Sequence, residues 1–152
     1  MASLSRAPTP AALRASWGAS SGPSYRPPLF LLLFARADSS PPACAPLSIG
    51  PAIAIPKALK LAGLTADDVD FFEINEAFAS QAVYSVKALK LPFEKVNVHG
   101  GAIALGHPLG ATGARQVATG LGIAKRTGGK VFVTSMCVGS GMGLAGVFVS
   151  EQ

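Results

Sequence analysis

Between residues 49 and 150 the apolar positions fall at helical and strand periods, and no such pattern is read before residue 49. Gly50-Pro51 marks a helix entry, since proline is favoured in the first turn. Ile53, Ala54, Pro56, Lys57, Leu59 and Leu61 carry that helix to Gly63, a C-terminal cap. Pro56 sits early enough to be tolerated with a kink. Thr65-x-x-Asp68 resembles a capping box for a short helical turn. Val69 to Ile74 reads as a buried strand. Ala79, Ala82, Val83, Val86 and Leu89 then hold one face of a helix that runs to about Leu91, where Pro92 stops it. Leu109, Ala111, Ala114, Val117, Ala118 and Leu121 predict a further helix, broken by Gly128-Gly129. Lys130 to Met136 and Met142 to Ser150 read as strands. The tight turn Cys137–Gly141 between them makes an antiparallel pair the expectation.

The order helix, strand, helix, helix, strand, strand predicts an α/β layer with helices on both faces of a sheet. Three groups then fall at loop positions beside strand ends: Asn75, His107 and Cys137. That is where α/β folds assemble sites. His107 lies in a stretch, residues 97–115, that holds glycines at 100, 101, 106, 110 and 113. Gly106 and Pro108 flank it, and Pro108 restricts it to extended or turn geometry. Each group alone has a plain structural reading. A strand-end asparagine is commonly a turn former or helix cap, and a lone cysteine a small buried hydrophobe. Three together, two of them among glycines, point towards a site.

Composition narrows the classes. Nearly half of the 152 residues are apolar and 14% are charged, which suits one domain with a sizeable core. The net charge of +5 is uneven: residues 1–48 carry four arginines against one aspartate. No Lys/Arg run suggests nucleic acid. The longest strongly apolar run, Leu29 to Ala35, is too short to span a bilayer. Cys44 and Cys137 make no disulfide framework, and with His99 and His107 they lack metal-ligand spacing, so no metal is expected. Residues 1–48 also hold eight of the twelve prolines. They read as a transit peptide, a late secretory signal, or a disordered or mis-assembled leader, with the last favoured. The domain boundaries expected are therefore 1–48, an unmatched leader, and 49–152, the folded part.

NEAF at 75–78, GGAIALGHPLGATGAR at 100–115 and Cys137-Val138-Gly139, in this order, resemble the C-terminal half of a thiolase. The resemblance covers roughly residues 49–152 and is nearest to the peroxisomal 3-ketoacyl-CoA thiolases. It implies a thiolase-like α/β fold, the C-terminal half only, without that half's first strand–helix–strand. It implies an acyltransferase that cleaves a 3-ketoacyl-CoA thiolytically in fatty acid β-oxidation. An acetyl-CoA C-acetyltransferase, or a non-catalytic fragment, is the alternative. By resemblance His107 takes the proton of a nucleophilic cysteine and helps build the first oxyanion hole. Asn75 holds the water that completes that hole, Cys137 is the second acid/base, and the Gly139 N–H belongs to the second oxyanion hole. Glu76 reads either as an acid that orients a neighbour or as a helix-start acid. His99 reads as structural. Coenzyme A is expected as substrate, with no cofactor. The expected partners are acyl-CoA and CoA and, as in the family, a second copy in a homodimer. A peroxisome is the expected compartment, with mitochondrion or cytoplasm as alternatives.

The departures are equally plain. The family keeps its nucleophilic cysteine in an N-terminal half that does not match here, and Cys44 stands in a different context. The expectation is a truncated or mis-assembled thiolase product with three strands where the family half has five. Such a sheet has open edges that invite association.

Overall fold

A computed structural model describes residues 49–139 and 142–150. In chain order they form α1 (Gly50–Ala62), β1 (Phe71–Ile74), α2 (Ala79–Ala88), the short α3 (Ala102–Leu105), α4 (Thr112–Thr127), β2 (Val131–Cys137) and β3 (Gly143–Val149), with 3₁₀ turns at Ala66–Asp68 and Phe93–Lys95. The sheet runs β1-β2-β3. β1 lies parallel to β2, Ile74 beside Ser135, and β2 lies antiparallel to β3, Cys137 beside Gly143. The expected leader lies outside the described residues.

The local rules explain the ends. α1 closes with Gly63 at φ 68°, and Leu64 N–H reaches back to Leu59 C=O. The Asp68 carboxylate accepts from the Thr65 N–H at 2.8 Å and from its hydroxyl at 2.7 Å. α2 ends at Ala88, earlier than the expected Leu91. Lys90 takes φ 55° and Leu91 N–H bonds Val86 C=O, a left-handed stop made without glycine. The helix expected from Leu109 begins only at Thr112, because Pro108 C=O first turns the chain by accepting from the Ala111 and Thr112 N–H groups. Leu109 itself is exposed.

Alternation along β1 and β2 separates two cores. Phe72, Ile74, Val131 and Val133 face α1 and α2, packing with Ala54, Ile55, Ala58, Leu59 and Val86. Phe71 and Phe132 face α4, where Ile123, Ala124 and Phe148 join them. Phe71, Phe132 and Phe148 stack in a row, with centroids 5.1 and 5.0 Å apart. α4 comes this close because Gly120 has no Cβ; one built there would clash with the edge of the Phe132 ring. The face expected of α2 differs. Gln81, Ser85 and Val86 are buried, whereas Val83 is exposed, because α2 packs on α1 with that edge and leaves Val83 and Tyr84 outward. Among the described residues no helix is long and apolar enough to cross a membrane.

Candidate active site

β1 delivers Asn75 one step past its last ladder pair, and Asn75 N–H still bonds Ser135 C=O at 2.8 Å. The side chain is fully buried. Its Nδ2 lies 3.2 Å from His107 Nε2. The other imidazole nitrogen, Nδ1, lies 2.7 Å from Thr112 Oγ1, and that hydroxyl bonds Pro108 C=O at 3.0 Å. A hydroxyl has one proton to give, and the assignment that also lets Asn75 Nδ2 donate to Nε2 gives it to the Pro108 carbonyl. Thr112 Oγ1 therefore accepts from His107 Nδ1–H. The imidazole proton is placed on Nδ1, and Nε2 keeps a lone pair facing Asn75. Asn75 Oδ1 has no partner among the described residues. A half-turn of the amide would bring that oxygen to Nε2. The same asparagine thus has a donor for the neutral ring and an acceptor for the imidazolium.

The first turn of α4 fixes this arrangement to the sheet. Thr112 is fully buried, and Gln116 Nε2 donates to Glu73 C=O at 2.9 Å and to Ser135 C=O at 3.1 Å. Arg115 Nη1 reaches Glu73 Oε2 at 3.4 Å. Burial pushes the Glu73 carboxyl up to about 7, the Arg115 charge pulls the other way, and the Glu76 charge adds to the rise.

Cys137 is the last residue of β2, half-buried with a free thiol. It shares with Asn75 the edge where the parallel strands end, two positions beyond Ser135. By alternation it follows Val133 and Ser135, while Asn75 follows Phe71 and Glu73. No hydrogen bond joins its thiol to Asn75 or His107 among the described residues. Gly139 takes φ 87°, open to a backbone amide and strained for any larger residue. His99 lies apart, 2.6 Å from Arg126 Nη2 on the surface. Glu76 does orient neighbours: its carboxylate accepts from Asn97 Nδ2 and Ile103 N–H. Among the described residues no group of three His, Cys, Asp or Glu is placed to hold a metal ion.

Thr112, Asn97 and the Glu73–Arg115 pair were not singled out from the sequence. Thr112 stands inside the 100–115 motif, five positions after His107, but nothing there tells it from a helix-start threonine, and Asn97 acts through a left-handed backbone that no pattern announces.

The family model for the thiolase C-terminal domain matches residues 31–150. The chain belongs to the thiolase family. Its expected likeness to peroxisomal 3-ketoacyl-CoA thiolases is borne out. It is 66% identical over 103 residues to mouse peroxisomal 3-ketoacyl-CoA thiolase B, covering 67% of this chain and 24% of that one. It is also 66% identical over 104 residues to Arabidopsis thaliana peroxisomal 3-ketoacyl-CoA thiolase 5, covering 67% and 23%. This thiolase chain thus spans about a quarter of the length of the curated relatives it matches. Solved structures agree on the fold. The five-layered peroxisomal 3-ketoacyl-CoA thiolase of Saccharomyces cerevisiae superposes with a TM-score of 0.64 at 55% identity, covering 69% of this chain and 30% of that one. Human mitochondrial 3-ketoacyl-CoA thiolase in complex with CoA gives 0.68 at 48%, covering 69% and 27%. A dimeric peroxisomal thiolase structure from yeast gives 0.63 at 55%, covering 69% and 26%. The thiolase family match begins at residue 31, ahead of the boundary expected at 49.

Proposed function

We propose that this chain supplies the enolate side of a thiolase active site, acting in thiolytic cleavage of a 3-ketoacyl-CoA to acetyl-CoA and a shortened acyl-CoA. The observation that carries the reading is the buried Asn75 amide set against the Nε2 lone pair of an imidazole whose other nitrogen is tied to Thr112. A base must offer its lone pair on a fixed side, and this one does. The nucleophilic cysteine comes from the part of a thiolase not represented here. His107 takes its proton, and the thiolate attacks the 3-keto carbon. Breaking the C2–C3 bond leaves the electron pair on the acetyl-CoA enolate, whose negative charge rests on the thioester oxygen. His107 and a water held by Asn75 stabilise that oxygen, a contribution on the order of 3 kcal/mol per donor. Cys137 gives the proton to C2, then takes one from the incoming CoA thiol, which releases the acyl group from the enzyme. The Gly139 N–H faces the oxygen of the tetrahedral intermediate. Coenzyme A is substrate here, and no step asks for a metal.

The remaining partners follow the relatives. The yeast relative has five layers, α-β-α-β-α, built from two domains of identical topology. We assign α4 to the middle layer, facing the other domain across an apolar cleft of about 480 Å³ lined by Val117, Ala118, Leu121, Met136, Leu144 and Phe148. A second copy is the proposed further partner, since a yeast relative is dimeric. A peroxisome is the proposed compartment, in line with the names of the relatives.

A second reading has its own support. The chain spans a quarter of its relatives, and Cys137 is the one cysteine among the described residues. It would then be a non-catalytic piece. Thiolysis of acetoacetyl-CoA by the purified chain, alone and mixed with the N-terminal part of a peroxisomal thiolase, separates the two. Turnover that Cys137→Ala abolishes supports the catalytic reading. No turnover in either mixture supports the second.

A further inference from the structure

The contact between Asn75 and His107 requires register between the end of β1 and the loop that carries the imidazole. One carboxylate bridges them. Glu76 Oε1 accepts from Asn97 Nδ2 at 2.7 Å, and Oε2 accepts from Ile103 N–H at 3.1 Å. Asn97 cannot reorient. At φ 49° its Oδ1 accepts from Ile74 N–H at 2.9 Å and its Nδ2 donates to Ile74 C=O at 2.8 Å, so the side chain imitates the peptide of a neighbouring strand. Inverting the amide would set donor against donor and oxygen against oxygen. Ile103 is equally fixed, lying in α3, where Gly106 N–H bonds Ala102 C=O at 2.7 Å immediately before His107. Gly101 makes the room; a Cβ there would occupy the place of the Glu76 carboxylate.

We infer that Glu76 is a positioning residue for His107: its carboxylate clips the 97–106 loop to the end of β1 and so holds the imidazole against Asn75. The clip must be a carboxylate. Both groups facing it are donors of fixed direction, and an ionised carboxylate offers an acceptor to each. A glutamine has one oxygen and one NH₂, so in either orientation it turns a donor onto a donor. The inference deepens the reading of His107 as the base, yet its test does not depend on turnover.

The whole chain contains two histidines, and because His99 lies in the 97–106 loop itself, the rate at His107 is normalised to N-acetylhistidine added to the same solution. Diethylpyrocarbonate modifies free imidazole nitrogens, and modification at each site is followed by mass spectrometry. Glu76→Gln raises the normalised His107 rate by about tenfold, the factor that corresponds to one lost hydrogen bond to a charged group. It also broadens or splits the His107 imidazole ¹⁵N resonances. Glu76→Asp, which keeps both acceptors on a shorter arm, falls between. The surface control Glu94→Gln moves neither signal. Gly101→Ala, which pushes the carboxylate aside without altering its charge, acts in the same direction and serves if Glu76→Gln does not fold. A folded Glu76→Gln with an unchanged normalised His107 rate and an unchanged imidazole spectrum overturns the inference, even if its melting temperature falls. Absence of thiolysis in the wild type would remove the proposed activity and leave this test standing.

Discussion

At the scale of single residues, the site is a chain of hydrogen bonds that runs from Pro108 through Thr112 and His107 to Asn75. Pro108 C=O fixes the Thr112 hydroxyl, Thr112 fixes the imidazole tautomer, and the tautomer fixes what Asn75 meets. Removing the hydroxyl with Thr112→Val frees the ring to protonate on Nε2. Thiolysis in the reconstituted enzyme is expected to drop about tenfold, against about 10²- to 10⁴-fold for His107→Ala, as steady-state kcat/KM would show. A Thr112→Val enzyme with unchanged rate would mean that the tautomer is set elsewhere. His107, Asn75 and Cys137 stood out in the sequence because glycines and strand ends mark them, and Gly139 entered only through the thiolase resemblance. Thr112 and Asn97 did not stand out. Their work is done by directed hydrogen bonds across five residues in one case and across twenty-three in the other, which spacing alone does not encode.

At the scale of elements, α4 is the part that ties the loop to the sheet. Its helical period was readable, but its start was misplaced by the turn at Pro108, and α3 was not expected at all. Four residues are too few for a period to show. Two predictions belong here. Gly120→Ala drives a methyl group into Phe132, so the melting transition should reveal a loss of about 1–3 kcal/mol. Glu73, fully buried on the α4 side of β1, has its carboxyl pushed from 4.5 up to about 7. Between those values the unfolded chain has already lost the proton that the folded chain keeps. Stability contributed by this group is therefore present in full below pH 4.5 and declines as pH rises to about 7, by up to about 3 kcal/mol in total. Urea unfolding at pH 5 and pH 8 should give a smaller difference for Glu73→Gln than for the wild type. Equal differences would show that Glu73 does not titrate in this window.

At the scale of the whole molecule, the α/β layering followed from periodicity and the antiparallel β2–β3 pair from the short turn between them, whereas the parallel β1–β2 pairing followed from neither. A long crossover leaves no local signature for which strands will meet. The cleft beside α4 is open apolar surface, the kind that marks a docking face, and it is the surface that the proposed middle-layer place of α4 would cover. The isolated chain should bind a hydrophobic dye, and addition of the N-terminal part of a peroxisomal thiolase should displace it. Fluorescence that stays constant through that titration would argue against α4 as the middle layer.

The parallel pairing has one more consequence, in time rather than in space. Asn75 gains its backbone anchor only from Ser135, and between them the chain must first traverse α2, the glycine-rich loop and all of α4. Closing so distant a contact is entropically slow. A nascent chain that has emerged only as far as Gly129 therefore has every residue of the Asn–His pair but not Ser135, so the proton-handling corner is completed only after β2 has emerged.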